Sequence, residues 1–345
     1  MTTRHAAPPF SRRRRDTLTT LAALGGAAMM PNAISTAGAQ AREKLVYLTP
    51  FGYLINFVET MYADTGGFFG KAGVDVTITG GRGSAMAVQQ VSAGNVLVSR
   101  TGGTDLIKAV AKDPNIVAIA EIYQRDLFHF VSAEGKPIRT PEDFAGKTIG
   151  LVSSGGASEN LLDMMLAKVG IASDSVKRQV TGDNPGAYEL VQQGRVDGVF
   201  LTQNNVQVLR TDKKPIVSWS TDQFAPAPSQ VYITSRKAIA ERPAALVGFL
   251  KGVHDALGAL MNEKDYAKVL DSMLTKYEVA GAKRPDRGLP LIESSIANYR
   301  PAFRDKLASD GKVWESAFND MVMAKIVPPT ALTFYTDEIR KRALG

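Results

Sequence analysis

Apolar and polar positions alternate between two periods along most of this chain. Lys44–Thr49, Val74–Ile78, Val96–Ser99 and Ile116–Ile122 are short, mostly apolar runs with the length and β-branched content of buried strands. Between them the spacing turns helical, through Phe57, Met61 and Tyr62, then from Ser84 to Val91, then from Asp105 onward. Pro50-Phe51-Gly52-Tyr53, Gly80-Gly81-Arg82-Gly83 and Arg100-Thr101-Gly102-Gly103 punctuate the series with turn-forming residues. A second series follows. Its predicted strands are Ile149–Val152, Val176–Val180, Val196–Thr202 and Ile216–Trp219, with helices at Glu159–Val169, Ala187–Gln193 and Val206–Leu209. Strands alternating with helices predict an α/β fold with mostly parallel sheets covered on both faces. Val231–Thr234 is a further strand, and from Ala238 the pattern is nearly all helical. The last third has no strands of its own to pair, so it is expected to pack on the first domain. The predicted organisation is residues 42–131 with 232–345 as domain 1 and residues 132–231 as an inserted domain 2, with crossings near Phe128–Val131 and Val231–Thr234.

Composition adds a constraint on place. The chain has 345 residues, 44% of them hydrophobic, which is enough for two domains of ordinary size. Arg12–Arg15 precede a mildly apolar run from Leu18 to Met30, and Ala37-Gly38-Ala39 or Ala39-Gln40-Ala41 offers a small-x-small cleavage site. Residues 1–41 therefore read as a secretory signal, too short in its apolar part to span a bilayer. Its Arg14-Arg15-x-Thr-Leu resembles a twin-arginine export signal. Of 41 basic and 34 acidic residues, the signal holds five Arg and one Asp, leaving 36 against 33. That balance is no electrostatic footprint for nucleic acid. Cysteine is absent, which excludes thiolate chemistry, Cys-based metal sites and a lipid-modified cysteine after the signal. The expected product is free in the periplasm rather than lipid-anchored. Three His residues, widely spaced, make no zinc site, and no cofactor is expected.

Three segments carry a family likeness. Pro141-Glu-Asp-Phe-Ala-Gly-Lys-Thr-Ile-Gly150 resembles the opening of the second domain in type II periplasmic substrate-binding proteins of ABC importers, in the nitrate/sulfonate/taurine/thiamine-precursor-binding branch. Leu190-Val-Gln-Gln-Gly-Arg-Val-Asp-Gly-Val199 is similar to that family's helix-Gly-x-Val-Asp-strand segment, and Ser235–Leu250 to its return helix. The resemblance implies two α/β domains with a ligand cleft between them. It also implies a non-enzymatic role, capture of a small polar or anionic organic solute (a sulfonate, a carboxylate or a pyrimidine-like molecule). The partners it implies are an inner-membrane ABC permease with a cytoplasmic ATPase. Two alternatives share the architecture: an enzyme of the pyrimidine-precursor synthase-like branch, and the solute receptor of a tripartite ion-driven transporter. The export signal and the shortage of His weigh against the first, and the absence of a long bridging helix against the second.

Ligands of open α/β sheets sit beyond the carboxyl ends of strands, so the strand ends supply the candidates. On domain 1 these are Phe51 and Tyr53, Ser84, Arg100 and Thr101, with Gln124, Glu59 and Tyr62 nearby. On domain 2 they are Ser153, Ser154 and Ala157, Asp183 and Asn184, and Gln203 and Asn204. The Ser153–Ser158 loop opens an apolar helix, an arrangement that offers bare backbone N–H groups to an anion. Arg100 follows an apolar strand, where a guanidinium can hold a carboxylate or sulfonate bidentately or pair with an acid such as Asp105. Phe51 and Tyr53 can stack on a ligand or pack in the core. The Gly80–Gly83 turn fails the dinucleotide fingerprint, because Arg82 or Met86 stands where Gly is needed.

Overall fold

The computed structural model describes residues 41–345, apart from Arg125, Ala280, Gly281, Lys283 and Ala331. The export signal expected over residues 1–41 falls, but for its last residue, outside the described residues.

The chain builds one sheet, leaves it, builds a second, and returns. The first part runs β1 (Glu43–Thr49), α1 (Val58–Thr65), α2 (Phe68–Lys71), β2 (Val74–Gly80), α3 (Ser84–Ser92), β3 (Val98–Gly102), α4 (Gly103–Val110) and β4 (Ile116–Tyr123). The second runs β5 (Phe128–Ala133), β6 (Thr148–Leu151), α5 (Ala157–Lys168), β7 (Lys177–Val180), α6 (Ala187–Gln192), β8 (Gly198–Thr202), α7 (Gln203–Thr211) and β9 (Ile216–Ser220). The return is β10 (Gln230–Ser235), followed by α8 (Arg236–Glu241), α9 (Pro243–Asn262), α10 (Tyr266–Leu274), α11 (Pro285–Arg304), α12 (Gly311–Met323) and α13 (Glu338–Leu344). The two five-stranded sheets have the orders β2-β1-β3-β10-β4 and β7-β6-β8-β5-β9. In each, one strand runs antiparallel to the rest: β10 lies between β3 and β4, and β5 between β8 and β9.

Strand pairing moves the crossings slightly from their expected places. β5 pairs along its whole length with β8 and β9, so Phe128–Val131 already belong to the second sheet. The first crossing is the segment 124–127, and the chain is back in the first sheet by Gln230. The crossings are tied side by side. Leu127 N–H donates to Ser229 Oγ at 2.8 Å, Asp126 N–H to Asp222 Oδ1 at 2.9 Å, and the Thr221 hydroxyl to Asp126 Oδ2 at 2.6 Å. These bonds hold the two crossings side by side.

α9 is a core helix of the first lobe: Phe249, Leu250, Val253 and Leu257 are fully buried there with Tyr47, Val58 and Met61. Not every C-terminal helix stays on the first lobe. α12 packs Trp314, Ala317 and Met321 into the core shared with α5, and Asp320 pairs with Lys168 of α5 at 2.7 Å. α11 also meets both lobes. Tyr299 hydrogen-bonds the Asn56 carbonyl on one side, and Ser295 Oγ accepts from Asn204 Nδ2 at 3.0 Å on the other.

Candidate functional site

The carboxyl ends of both sheets face one another, and the lobes touch along a seam. Asp105 of α4 reaches the N-terminus of α5, where its Oδ1 accepts from Asn160 Nδ2 at 2.8 Å. Its Oδ2 lies near the Ser84 hydroxyl and the Ala157 amide without closing a hydrogen bond to either. Burial pushes the Asp105 carboxyl up to about 7, tempered by Ser84, Lys108 and these amide donors. Glycine is required at the contact itself: a Cβ on Gly102 would stand 2.9 Å from that of Ala157. The helix N-terminus that the sequence offers to an anionic ligand is thus occupied by a carboxylate of the opposite lobe.

Arg100 corrects the clearest expectation. The apolar run predicted to end at Ser99 continues as β3 through Arg100 and Thr101 to Gly102, because β10 pairs with it (Tyr232 opposite Arg100, Val231 opposite Thr101). Strand alternation then turns Arg100 into the first lobe's core rather than into the cleft. It is fully buried, with Nη1 2.8 Å from Glu59 Oε1 and 3.0 Å from the Asn56 carbonyl, and Nε 3.1 Å from Gln230 Oε1. The rings of Phe57 and Tyr123 lie 4.8 and 4.6 Å from its guanidinium carbon. Its acid is Glu59 and not Asp105. Glu59 also accepts from the hydroxyls of Tyr232, at 2.7 Å, and Tyr299.

The other candidates divide into groups. Ser84 is buried, with the backbone of lobe 2 close to it, and its carbonyl accepts from the Thr101 hydroxyl at 3.1 Å. Ser153 and Ala157 lie on the same seam, whereas Ser154 is exposed. Tyr53 turns away from it: its hydroxyl donates to the Ile78 carbonyl, and its ring meets Tyr277 at 5.2 Å. Phe51 is half-buried against the first lobe's core and against the cluster shared between the lobes. Gln124 and Gln203 line a cavity of about 370 Å³ beside the crossings, with Asp126, Asp222 and His129. There Asp126 Oδ1 accepts from Phe128 N–H and Oδ2 from Thr221, while Gln124 donates to Asp305. Burial, then the Arg210 charge, lowers His129 to about 4, so it is neutral at physiological pH.

Asn184 lines a second cavity, of about 240 Å³, whose wall comes from both lobes. Leu54, Ile55 and Asn56 face it from the loop after β1, and Leu291 from α11. Asp183, Asn184 and Pro185 face it from the loop after β7, and Asn204, Asn205 and Val208 from α7. Three polar atoms here are buried without a partner: Asn56 Nδ2, Asp183 Oδ2 and Asn204 Oδ1. These atoms are closed off from solvent as well as from protein partners, and an unpaired buried polar atom is costly. Each is held in place. Asp183 Oδ1 accepts from Thr202 N–H at 2.9 Å and Asn205 Nδ2 at 2.7 Å, and Asn204 Nδ2 is fixed on Ser295. The Asn56 carbonyl is held by Arg100, Tyr299 and Tyr123. Burial raises the Asp183 carboxyl, while the Thr202 amide and Asn205 oppose that rise.

Sequence reasoning reached Asp183, Asn184 and Asn204 as strand-end residues but missed Asn56, Val208 and Leu291. Asn56 has one local signal, an amide inside the apolar Leu54-Ile55-Asn56-Phe57 run. Leu291 has none, since α11 comes from nearly the far end of the chain.

This architecture is that of the two-domain periplasmic binding proteins. A solved protein of Bordetella bronchiseptica RB50 superposes with a TM-score of 0.71 at 18% identity, covering 88% of this chain and 97% of its own. The periplasmic aliphatic sulphonate binding protein SsuA of Escherichia coli gives 0.63 at 16% identity, covering 86% and 91%. The family model described as NMT1/THI5 like matches residues 55–267, more than half of the chain, and the chain belongs to that family. A formylaminopyrimidine-binding protein of Halalkalibacterium halodurans is 24% identical over 216 residues. That match covers 58% of this chain and 64% of the length of this curated relative.

Proposed function

We propose that this protein is the periplasmic solute-capturing component of an ABC importer. It holds a small polar organic solute in the 240 Å³ interlobe cavity and delivers it to an inner-membrane permease powered by a cytoplasmic ATPase. The observation that carries this reading is the cavity itself, walled by both lobes and lined by Asn56, Asp183, Asn184, Asn204 and Asn205. A closing two-lobe cleft converts solute binding into a change of shape that a permease can recognise. The related proteins' printed ligands, an aliphatic sulphonate and a formylaminopyrimidine, are both small polar molecules of the scale such a cavity takes. The arginine pair and cleavage site at the N-terminus support export by the twin-arginine route as a free protein. Neither described His lines this cavity: His129 lies on the other one and His254 stacks on Phe303 at 4.7 Å. The test is a thermal-shift screen of small solutes paired with solution scattering. The same compound should stabilise the fold and compact it, with about 2.7 kcal/mol of stabilisation at a hundredfold excess over Kd. Stabilisation without compaction by every hit refutes capture between the lobes.

A further inference from the structure

We propose that closure of the two lobes takes up a proton at Asp105, so that acid favours the closed form of this protein and alkali the open one. The device is the seam between α4 and α5, and it does not depend on which solute the protein carries.

Asp105 is 4% exposed, and the groups that cover it come from both lobes. Asn160 Nδ2 of lobe 2 donates to its Oδ1 at 2.8 Å, while Oδ2 has no hydrogen bond. Lys108, one turn along α4, donates to Asn160 Oδ1 at 3.5 Å rather than pairing with the carboxylate. α3 presents Ser84, whose hydroxyl is also without a partner, and holds no charged residue. From α5, Asn160 and the Ala157 amide face Asp105, while Glu159 and Asp163 turn to Arg178, and Lys168 turns to Asp320 of α12. The other charged residues of α12, Lys312 and Glu315, are exposed. On the strands that α4 packs against, Arg100 of β3 and Tyr232 of β10 bond Glu59, Tyr123 of β4 bonds the Asn56 carbonyl, and Glu121 of β4 sits beside Trp314 and Asp310. A buried carboxylate with one oxygen unmatched and no cation on it is costly. The protonated acid can instead donate from that oxygen to the Ser84 hydroxyl beside it. Separating the lobes removes the α5 cover, and Asp105 then titrates as an ordinary carboxyl at about 3.9. In the closed seam, burial holds it at about 7. The closed form therefore keeps the proton between these values, and closure weakens as pH rises through that window. From pH 5 to pH 8 the closing equilibrium should fall up to about a hundredfold.

The chain has no cysteine, so two engineered ones carry the only labels. Asp75 on β2 and Gln193 after α6 are exposed and lie on different lobes, and Asp75→Cys with Gln193→Cys places a spin label on each. On the whole protein without added solute, the distance between labels should lengthen from pH 5 to pH 8, and scattering should show the same expansion. Asp105→Asn, the isostere of the protonated acid, should give the short distance at both values. Asp105→Ser, uncharged and smaller, should also be insensitive to pH. Asp126 is the competing group, because burial and the Asp222 charge beside it raise it to about 7 at the crossing. A shift that survives in either Asp105 variant overturns the proposal and points to the crossing. A distance that does not change with pH in the protein with Asp105 intact overturns proton-coupled closure outright.

Discussion

Replacing Arg100 with methionine removes one partner of an ion pair in which neither side chain is exposed at all. The Glu59 carboxylate would keep the Tyr232 and Tyr299 hydroxyls but lose the Arg100 charge that pairs with it. Breaking a buried pair from one side typically costs about 3–5 kcal/mol, a large share of the roughly 5–15 kcal/mol that holds a folded protein. At roughly 2–4 °C per kcal/mol, the melting temperature should fall by about 10 °C. The change also releases the Asn56 carbonyl from Nη1, so solute affinity should drop as a secondary effect. Combining Arg100→Met with Glu59→Gln should recover part of the stability, because no uncompensated charge then remains buried. Urea unfolding of the two single variants and the double variant gives the coupling directly. If Arg100→Met loses less than about 1 kcal/mol, the pair is not the structural element described. If it folds normally but binds nothing, Arg100 is a ligand clamp after all.

Two further outcomes follow from the seam. Burial raises Asp105 to about 7 in the folded protein, above its value of about 3.9 in an unfolded chain. The folded state therefore holds its proton longer, and this group's contribution favours folding below about pH 4 and is lost as pH rises toward 7. Asp105→Asn keeps an acceptor for Asn160 and should stabilise the protein at pH 8 but not at pH 4, by up to about 4 kcal/mol. Denaturation at the two pH values checks it, and equal effects at both would show that Asp105 is charged and well paired. Gly102→Val should hold the lobes apart, because even its Cβ would press on Ala157. Scattering with a saturating solute should then show no compaction, and a normal response would place lobe contact elsewhere.

Local spacing alone located most strands and helices within a few residues, since burial on a sheet face or helix stripe leaves its period in the sequence. The second series of elements, starting again at Ile149, was enough to indicate an inserted lobe. Asp183, Asn184 and Asn204 were legible as strand-end residues, the positions where loops of α/β sheets gather, and they line the 240 Å³ cavity. The orientation of Arg100 was not legible. It depends on β10, which pairs with β3 from far along the chain (Tyr232 opposite Arg100) and extends that strand past its apolar run. The α5 N-terminus looked like an anion site for the same reason: nothing local announces that Asp105 will reach it from another lobe.

The sequence by itself therefore determined the elements, the two-lobe plan and the loops that meet at the cleft, all of which follow from short-range period and turn chemistry. Only the tertiary structure decided which polar atoms are paired within the protein and which are not. That accounting depends on partners brought together across the chain, such as Asn56 with Arg100 and Asn204 with Ser295. Hydrogen-bond satisfaction is a property of the packed whole, and it turns the expected arginine clamp into a core brace.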